Sequence, residues 1–216
     1  MRTVGGDSGS WQAALLVCGV IAPLLHLATD WIAGTSFGGY DFSARSISDL
    51  GSVGSPVRSR VILLTLAASV LVVAFTVGIW QAGTLLARVV AVLIAGNALL
   101  SSVALVFFPN SLGVRPAFRT PGVILMFLAV LCSVLAMLVG AFAFDGWMRW
   151  ISVGIPASYV ALAVLRFATA GSENAMVMIG AQERTMSYSY LLWMLALAVH
   201  LLLSTGAWNR VTSASG

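Results

Sequence analysis

The sequence predicts an all-α, polytopic transmembrane bundle of about six spanning helices, a single integral membrane domain over residues 1–216 with a polar loop cap on one side. Three observations carry that expectation. Charged residues make up 8% of the chain and hydrophobic ones 60%, with mean hydropathy +1.00, whereas soluble domains carry roughly 25% charged residues. Six apolar stretches reach the roughly 20 residues that a bilayer core requires. Lipid offers no partner to free backbone N–H and C=O groups, so each stretch must be helical.

The segments run approximately 11–33, 57–81, 86–108, 121–144, 147–169 and 188–208. The first follows a short polar head with Arg2 and Asp7, lacks a small-residue cleavage signal and is long enough to span. It therefore reads as a retained helix and not a signal peptide. Ser55-Pro56 and Thr120-Pro121 each place a capping hydroxyl before a proline at the first helical position. Pro23 and Pro156 fall inside the first and fifth segments, where each removes a helical hydrogen bond. Trp11, Trp31, Trp80, Trp147, Trp150 and Trp208 lie near segment ends, as an aromatic belt requires, and Trp193 lies about a turn inside the last segment.

Short turns join segments two to three and four to five. The three longer connections fall on one side, with Asp30, Asp41, Asp49, Glu173, Glu183, Arg45, Arg58, Arg60, Arg115, Arg119, Arg166 and Arg184. The opposite side has Arg2, Asp7, Arg88, Asp145, Arg149 and Arg210. Seven of the eleven arginines on the long-loop face place it in the cytoplasm by the positive-inside bias, in the cell membrane. The net charge of +4 reads as membrane-flanking arginine; with no basic stripe, a nucleic-acid partner is not expected. Cys18 and Cys132 both lie in apolar runs, which disfavours a disulfide or a thiol-bound metal.

The first long connection, Tyr40 to Pro56, concentrates donors, acceptors and charge: Tyr40, Asp41, Arg45, Ser46, Ser48 and Asp49. Long connections tend to carry function. Asp49 sits where one helical turn can form, capped by Ser43 and ended by Gly51. Tyr40-Asp41, Ser46-Ile-Ser-Asp-Leu-Gly51 and Gly54-Ser-Pro56 resemble the first-loop signature of the bacterial and archaeal membrane proteins catalogued as domain of unknown function 998. Phe108-Pro109 is similar to that family's Phe-Pro step. Gly180-Ala-Gln-Glu-Arg184, followed by Leu192-Trp193, resembles its Gly-x-x-Glu-Arg motif before the last helix. The resemblance implies the six-helix fold and the location of the site, and no reaction. Relatives often carry a histidine early in the fourth helix, where this chain reads Phe118-Arg-Thr-Pro-Gly-Val-Ile124; histidine-dependent chemistry in them has no counterpart here.

The motif inventory narrows the chemistry. Metalloprotease, phosphate-loop, nucleophile-elbow and aspartate-rich diphosphate motifs are all missing. His26 and His200 are too few for a typical zinc site, although the two could join Asp30 in a His-His-carboxylate set. No metal or nucleotide cofactor is expected. The carboxylates remain, and the candidate catalytic residues are Asp49, Asp30 and Glu183. Asp30 lies four residues after His26 on one helix face, and is either a site acid or an Arg-paired interfacial one. Asp49 either overlooks the site or holds loop N–H groups in an Asx-type turn. Glu183 either complements a helix dipole or pairs with an arginine of another loop. Candidate substrate-binding residues are Tyr40, Trp31, His26, Ser48, Arg119, Arg184 and Trp193.

A site apolar below and charged above suits a hydrophobic small molecule or lipid. The expected function is that of a membrane enzyme acting on a prenyl, terpenoid or lipid substrate by carboxyl general-acid catalysis, such as a proton-initiated terpene cyclase. Arginines would hold any polar head, and Trp31, Tyr40 or Trp193 would stabilise a carbocation. The alternative from another class is a non-enzymatic lipid-binding or scaffolding protein, in which the same acids only build the loop.

Overall fold

The computed structural model describes residues 6–81, 83–113, 119–168 and 179–204. Arg2, Arg115, Glu173, Trp208 and Arg210 lie outside them, as do the side chains of Asp7 and Arg166. Seven helices occur within these residues: α1 (Gly6–Ser36), α2 (Ile47–Gly51), α3 (Arg58–Trp80), α4 (Leu85–Phe107), α5 (Pro121–Ala143), α6 (Trp147–Ala168) and α7 (Ile179–Ser204). All but α2 correspond to the predicted segments. Five of the long helices (α1, α3, α4, α5 and α7) are long and apolar enough to cross a membrane. The sixth, α6, has 22 residues and packs between α5 and α7. The protein is an all-helical polytopic bundle.

Local chemistry sets the boundaries. Thr84 caps α4, its hydroxyl accepting from Ala87 N at 3.1 Å, and Pro121 opens α5 after Thr120. Gly83 and Gly146 take the left-handed backbone that the two tight hairpins require (φ 91° and 68°). Beside the second hairpin, Arg149 donates to Ala141 O and pairs with Asp145 at 2.8 Å. Expected boundaries move at three helices. α1 (Gly6–Ser36) extends beyond the predicted 11–33 at both ends. Ser55-Pro56 does not start α3, which begins at Arg58 after a turn. The last helix starts at Ile179, nine residues before the predicted 188, so Glu183 and Arg184 lie inside it and Trp193 is near its middle.

The long helices close into a ring in which each packs on its sequence neighbours and α7 returns to α1. At the hairpin end the ring is solid. Phe75 and Ile79 of α3, Val90 and Ile94 of α4, Ala136 and Met137 of α5, and Leu197 and Leu201 of α7 meet there. Gly19 of α1 lets the Phe75 ring in; a Cβ at that position would stand 2.6 Å from its Cγ. Trp193, fully buried, donates through Nε1 to Ser152 Oγ at 2.9 Å, joining α7 to α6. Outside, Leu63, Val70, Phe127, Phe142 and Val160 are exposed, the surface a bilayer would cover. Trp11, Trp31, Trp80, Trp147 and Trp150 are exposed near helix ends, as the belt predicts.

At the opposite end the first long connection meets the described part of the α4–α5 connection. Val53 bridges to the loop after α4, its N–H donating to Asn110 O and its carbonyl accepting from Leu112 N, at 2.8 and 3.0 Å.

The solid half predicts a cost for hollowing it. Trp193→Ala should destabilise the protein by about 3–5 kcal/mol, read as a lowered thermal midpoint in detergent. Trp193→Phe, which loses only the Ser152 bond and part of the ring, should lie well under half of that loss.

Candidate functional site

The polar end is organised by one side chain. Arg184, on the second turn of α7, is buried and offers five N–H donors. Nε and Nη2 bind both carboxylate oxygens of Asp30 of α1 at 2.9 Å. Nη1 reaches the carbonyls of Phe42 and Arg45 at 2.6 and 2.9 Å, and Nη2 reaches the Tyr40 hydroxyl at 2.7 Å. The guanidinium also lies over the Phe42 ring, 4.9 Å from its centroid. Tyr40 passes the interaction on, donating to Ser46 O at 2.6 Å. Burial pushes the Tyr40 hydroxyl up to about 12 despite the neighbouring Arg184, so it remains a donor across the physiological range. Tyr188 donates to Asp30 from the next turn of α7.

The Gly-x-x-Glu-Arg motif now has a physical reading. A Cβ at Gly180 would land on the Arg45 carbonyl oxygen, with the Phe42 carbonyl 2.6 Å away, so only glycine lets the first loop lie against α7. Ala181 N donates to Ser43 O at 3.0 Å. Glu183 accepts from Ile47 N at 3.1 Å, holding the start of α2. The expected turn at Asp49 forms as α2, with a different cap: Ser46, not Ser43, accepts from Asp49 N. Ser43 instead bonds Asp41, whose Oδ1 accepts from Ser43 N, Ser43 Oγ and Ala44 N. Those hydroxyl and N–H donors hold the Asp41 carboxyl below its ordinary range. The Asx turn considered for Asp49 thus belongs to Asp41.

Beneath this roof the bundle encloses a cavity of about 860 Å³. Its lining on α5 runs from Gly122 to Ser133 and on α7 from Glu183 to Met194. Each run is about 16 Å deep at 1.5 Å per residue, roughly half of a 30 Å hydrocarbon core. The walls are mostly aliphatic or small. Asp49 and Glu183 stand at the roof, close enough to repel one another. The Asp49 carboxylate accepts no hydrogen bond among the described residues. Asn97 lines the wall and donates to Ala129 O at 2.8 Å, and Ser102 bonds Ser69 across α4 and α3, so both join neighbouring helices.

Of the predicted site residues, Asp49, Glu183, His26 and Ser48 line the cavity. Asp30, Arg184 and Tyr40 form the latch above it. Trp31 is 65% exposed beside Phe42, Arg119 is exposed away from the cavity, and Trp193 lies in the core. Glu183 pairs with no arginine of another loop among the described residues; its partner is Ile47 N, and the arginine pair is Arg184 with Asp30. His200 stacks edge-on to Phe144 and Trp147 at the hairpin end, far along α7 from the Asp30 pair, so the His-His-carboxylate set does not assemble. Among the described residues no three of His, Cys, Asp and Glu converge to hold a metal ion.

Arginines do not line the cavity among the described residues: Arg45 lies over Phe37 and Arg58 donates to Gly51 O. The expected clamp on an anionic head is therefore not formed by them. Sequence reasoning missed Tyr190. Its ring lines the cavity and stacks on Trp193, and its hydroxyl is buried with no hydrogen-bond partner among the described residues. An unmade bond of this kind costs roughly 1–3 kcal/mol. Only the position of Tyr190 seven residues, two turns, below Glu183 could have signalled it.

The family model described as Protein of unknown function (DUF998) matches residues 20–200, and the chain belongs to this family. No curated protein and no solved structure matches it.

Two substitutions test the latch. Asp30→Asn leaves a buried guanidinium without its counter-charge and should cost about 3–5 kcal/mol. Gly180→Ala should cost about 1–3 kcal/mol by overpacking. Both should lower the thermal midpoint in detergent and speed amide exchange over residues 40–47. A midpoint unchanged in Asp30→Asn would refute the latch.

Proposed function

We propose that this chain is an integral membrane enzyme that holds a lipid-soluble substrate, of the prenyl, terpenoid or another lipid class, in the cavity beneath α2 and protonates it from Asp49. The observation that carries this reading is the division of labour among the carboxylates. Asp30 is spent on Arg184 and Glu183 on the start of α2, whereas Asp49 lines the cavity without a partner among the described residues. A positioned acid over a largely apolar hollow suits general-acid chemistry on a carbon–carbon double bond.

In the proton-initiated cycle, the Asp49 carboxyl transfers its proton to a terminal alkene carbon, leaving a carbocation on the adjacent carbon. The next double bond in the chain attacks that centre and closes a ring. Loss of a proton from a neighbouring carbon to the Asp49 carboxylate forms the new alkene and restores the acid. Atoms and electrons balance without a co-reactant, and the net change is an isomerisation. The aromatic lining near such a cation is Tyr159, Tyr190 and Phe108 rather than Trp31, Tyr40 or Trp193. The commitment of Asp30, Arg184 and Tyr40 to architecture favours a second reading, a lipid-binding or scaffolding protein with the same cavity and no turnover. We place the protein in the cell membrane with the long-loop end in the cytoplasm, because seven of eleven arginines flank that end. Labelling of Gly113→Cys and Gly146→Cys from either side tests that orientation.

Incubation of the protein in nanodiscs with linear prenyl substrates in D₂O should yield cyclic product carrying one solvent deuterium. Asp49→Asn should fold normally and lose turnover by about 10²-fold or more. Product without deuterium, or unchanged turnover in Asp49→Asn, overturns the acid role. A ligand that binds the wild type and is recovered unaltered supports the second reading instead.

A further inference from the structure

We infer that the cavity selects a neutral lipid bearing a hydrogen-bonding oxygen, an alcohol or a carbonyl, over an anionic phosphate or diphosphate ester, and that His26 and Tyr190 recognise that oxygen. The inference rests on the cavity being the ligand site proposed above, and not on its catalysing a reaction.

Charge is the first ground. The described lining holds Asp49 and Glu183 and no arginine, so a phosphate would meet two carboxyl groups and no cation. An anion taken out of water without a counter-charge is strongly disfavoured. The described arginines nearest the cavity have other partners: Arg184 is saturated by Asp30, Tyr40 and loop carbonyls, Arg45 covers Phe37 and Arg58 holds Gly51.

The second ground is independent of charge. Of the four tyrosines, Tyr40 donates to Ser46 O, Tyr159 to Met186 O and Tyr188 to Asp30. Tyr190 alone is left with a buried hydroxyl lacking a partner among the described residues, on the wall of the cavity. The His26 imidazole lines the same cavity and makes no hydrogen bond among the described residues. Measured from the Asp30–Arg184 pair, His26 is four residues down α1 and Tyr190 six residues down α7. At 1.5 Å per residue those depths are about 6 and 9 Å, one layer of the cavity. Buried polar groups are satisfied in folded proteins. The buried Tyr190 hydroxyl, with the half-buried His26 imidazole in the same layer, points to an occupant that supplies a donor or acceptor there, which a plain hydrocarbon cannot do.

Three probes with the same chain separate the terms: farnesol, farnesyl diphosphate and farnesene, with affinities measured on the protein in nanodiscs. Farnesol should bind tightest, with the diphosphate weaker by more than about tenfold because its charge would leave water with no cation to pair it. Tyr190→Phe and His26→Leu should each weaken farnesol by about three- to tenfold, the range for one neutral hydrogen bond, and leave farnesene unchanged. Equal or tighter binding of the diphosphate, or farnesol binding unaltered in Tyr190→Phe, overturns the inference. Tyr190→Phe keeps the ring and its stacking, so it carries the test if His26→Leu does not fold. Asp49→Asn separates the two proposals: turnover lost with the farnesol preference intact supports both. A preference for farnesol in a wild type without turnover sinks the catalytic reading alone.

Discussion

A guanidinium with five donors and five acceptors is the constraint from which the polar end of this molecule follows. Arg184 ties α1 to α7 through Asp30 and, with the same group, captures Tyr40 and the Phe42 and Arg45 carbonyls of the first loop. Burying such a pair costs several kcal/mol per ion, and attraction offsets that only when every donor is used. Here every donor is used. The geometry depends on the planar fork of arginine, which a lysine would not reproduce, and on Gly180, which lets the loop come within reach.

The latch explains why the bundle is solid at one end and hollow at the other. At the hairpin end, short turns pull neighbouring helices together and the side chains interdigitate. At the long-loop end, α2 and the loops span the ring as a roof. Their polar backbone is satisfied by Arg184, Glu183, Ala181 and the Val53 bridge, so the roof does not need to collapse into the apolar interior. A cavity with acids above and aliphatic walls below results from that division.

Much of the fold was legible because hydrophobic length is a strong signal in lipid: the boundaries of α3 to α6 fall within a residue or two of the apolar runs. The start of α7 was not legible. Glu183, Arg184, Thr185 and Ser187 look like a loop when each residue is judged against water, yet Glu183 and Arg184 find loop partners more than a hundred residues earlier, and Thr185 bonds the Ala181 carbonyl one turn back in the same helix. The same limitation hid the pairing of Asp30 with Arg184, although both had been singled out. Ser43 and Ser46 are equally good caps by composition, and only the chain path decides between them. Trp193 was read as lying about a turn inside the last helix, and not in its core, because that helix was begun too late. Tyr190 drew no attention because a tyrosine in an apolar helix looks satisfied until its neighbours are known.

Glu183 and Arg184 carry a consequence for how the molecule assembles. A ribosome delivers the first loop early and α7 last, so Asp30 enters the bilayer interface with no counter-ion and Ile47 with no carboxylate to cap it. The amino-terminal five long helices must wait, with an unfinished lid, for the closing strand of the ring. A chain ended before residue 179 should therefore leave residues 40–56 open to protease while its hairpins are already inserted.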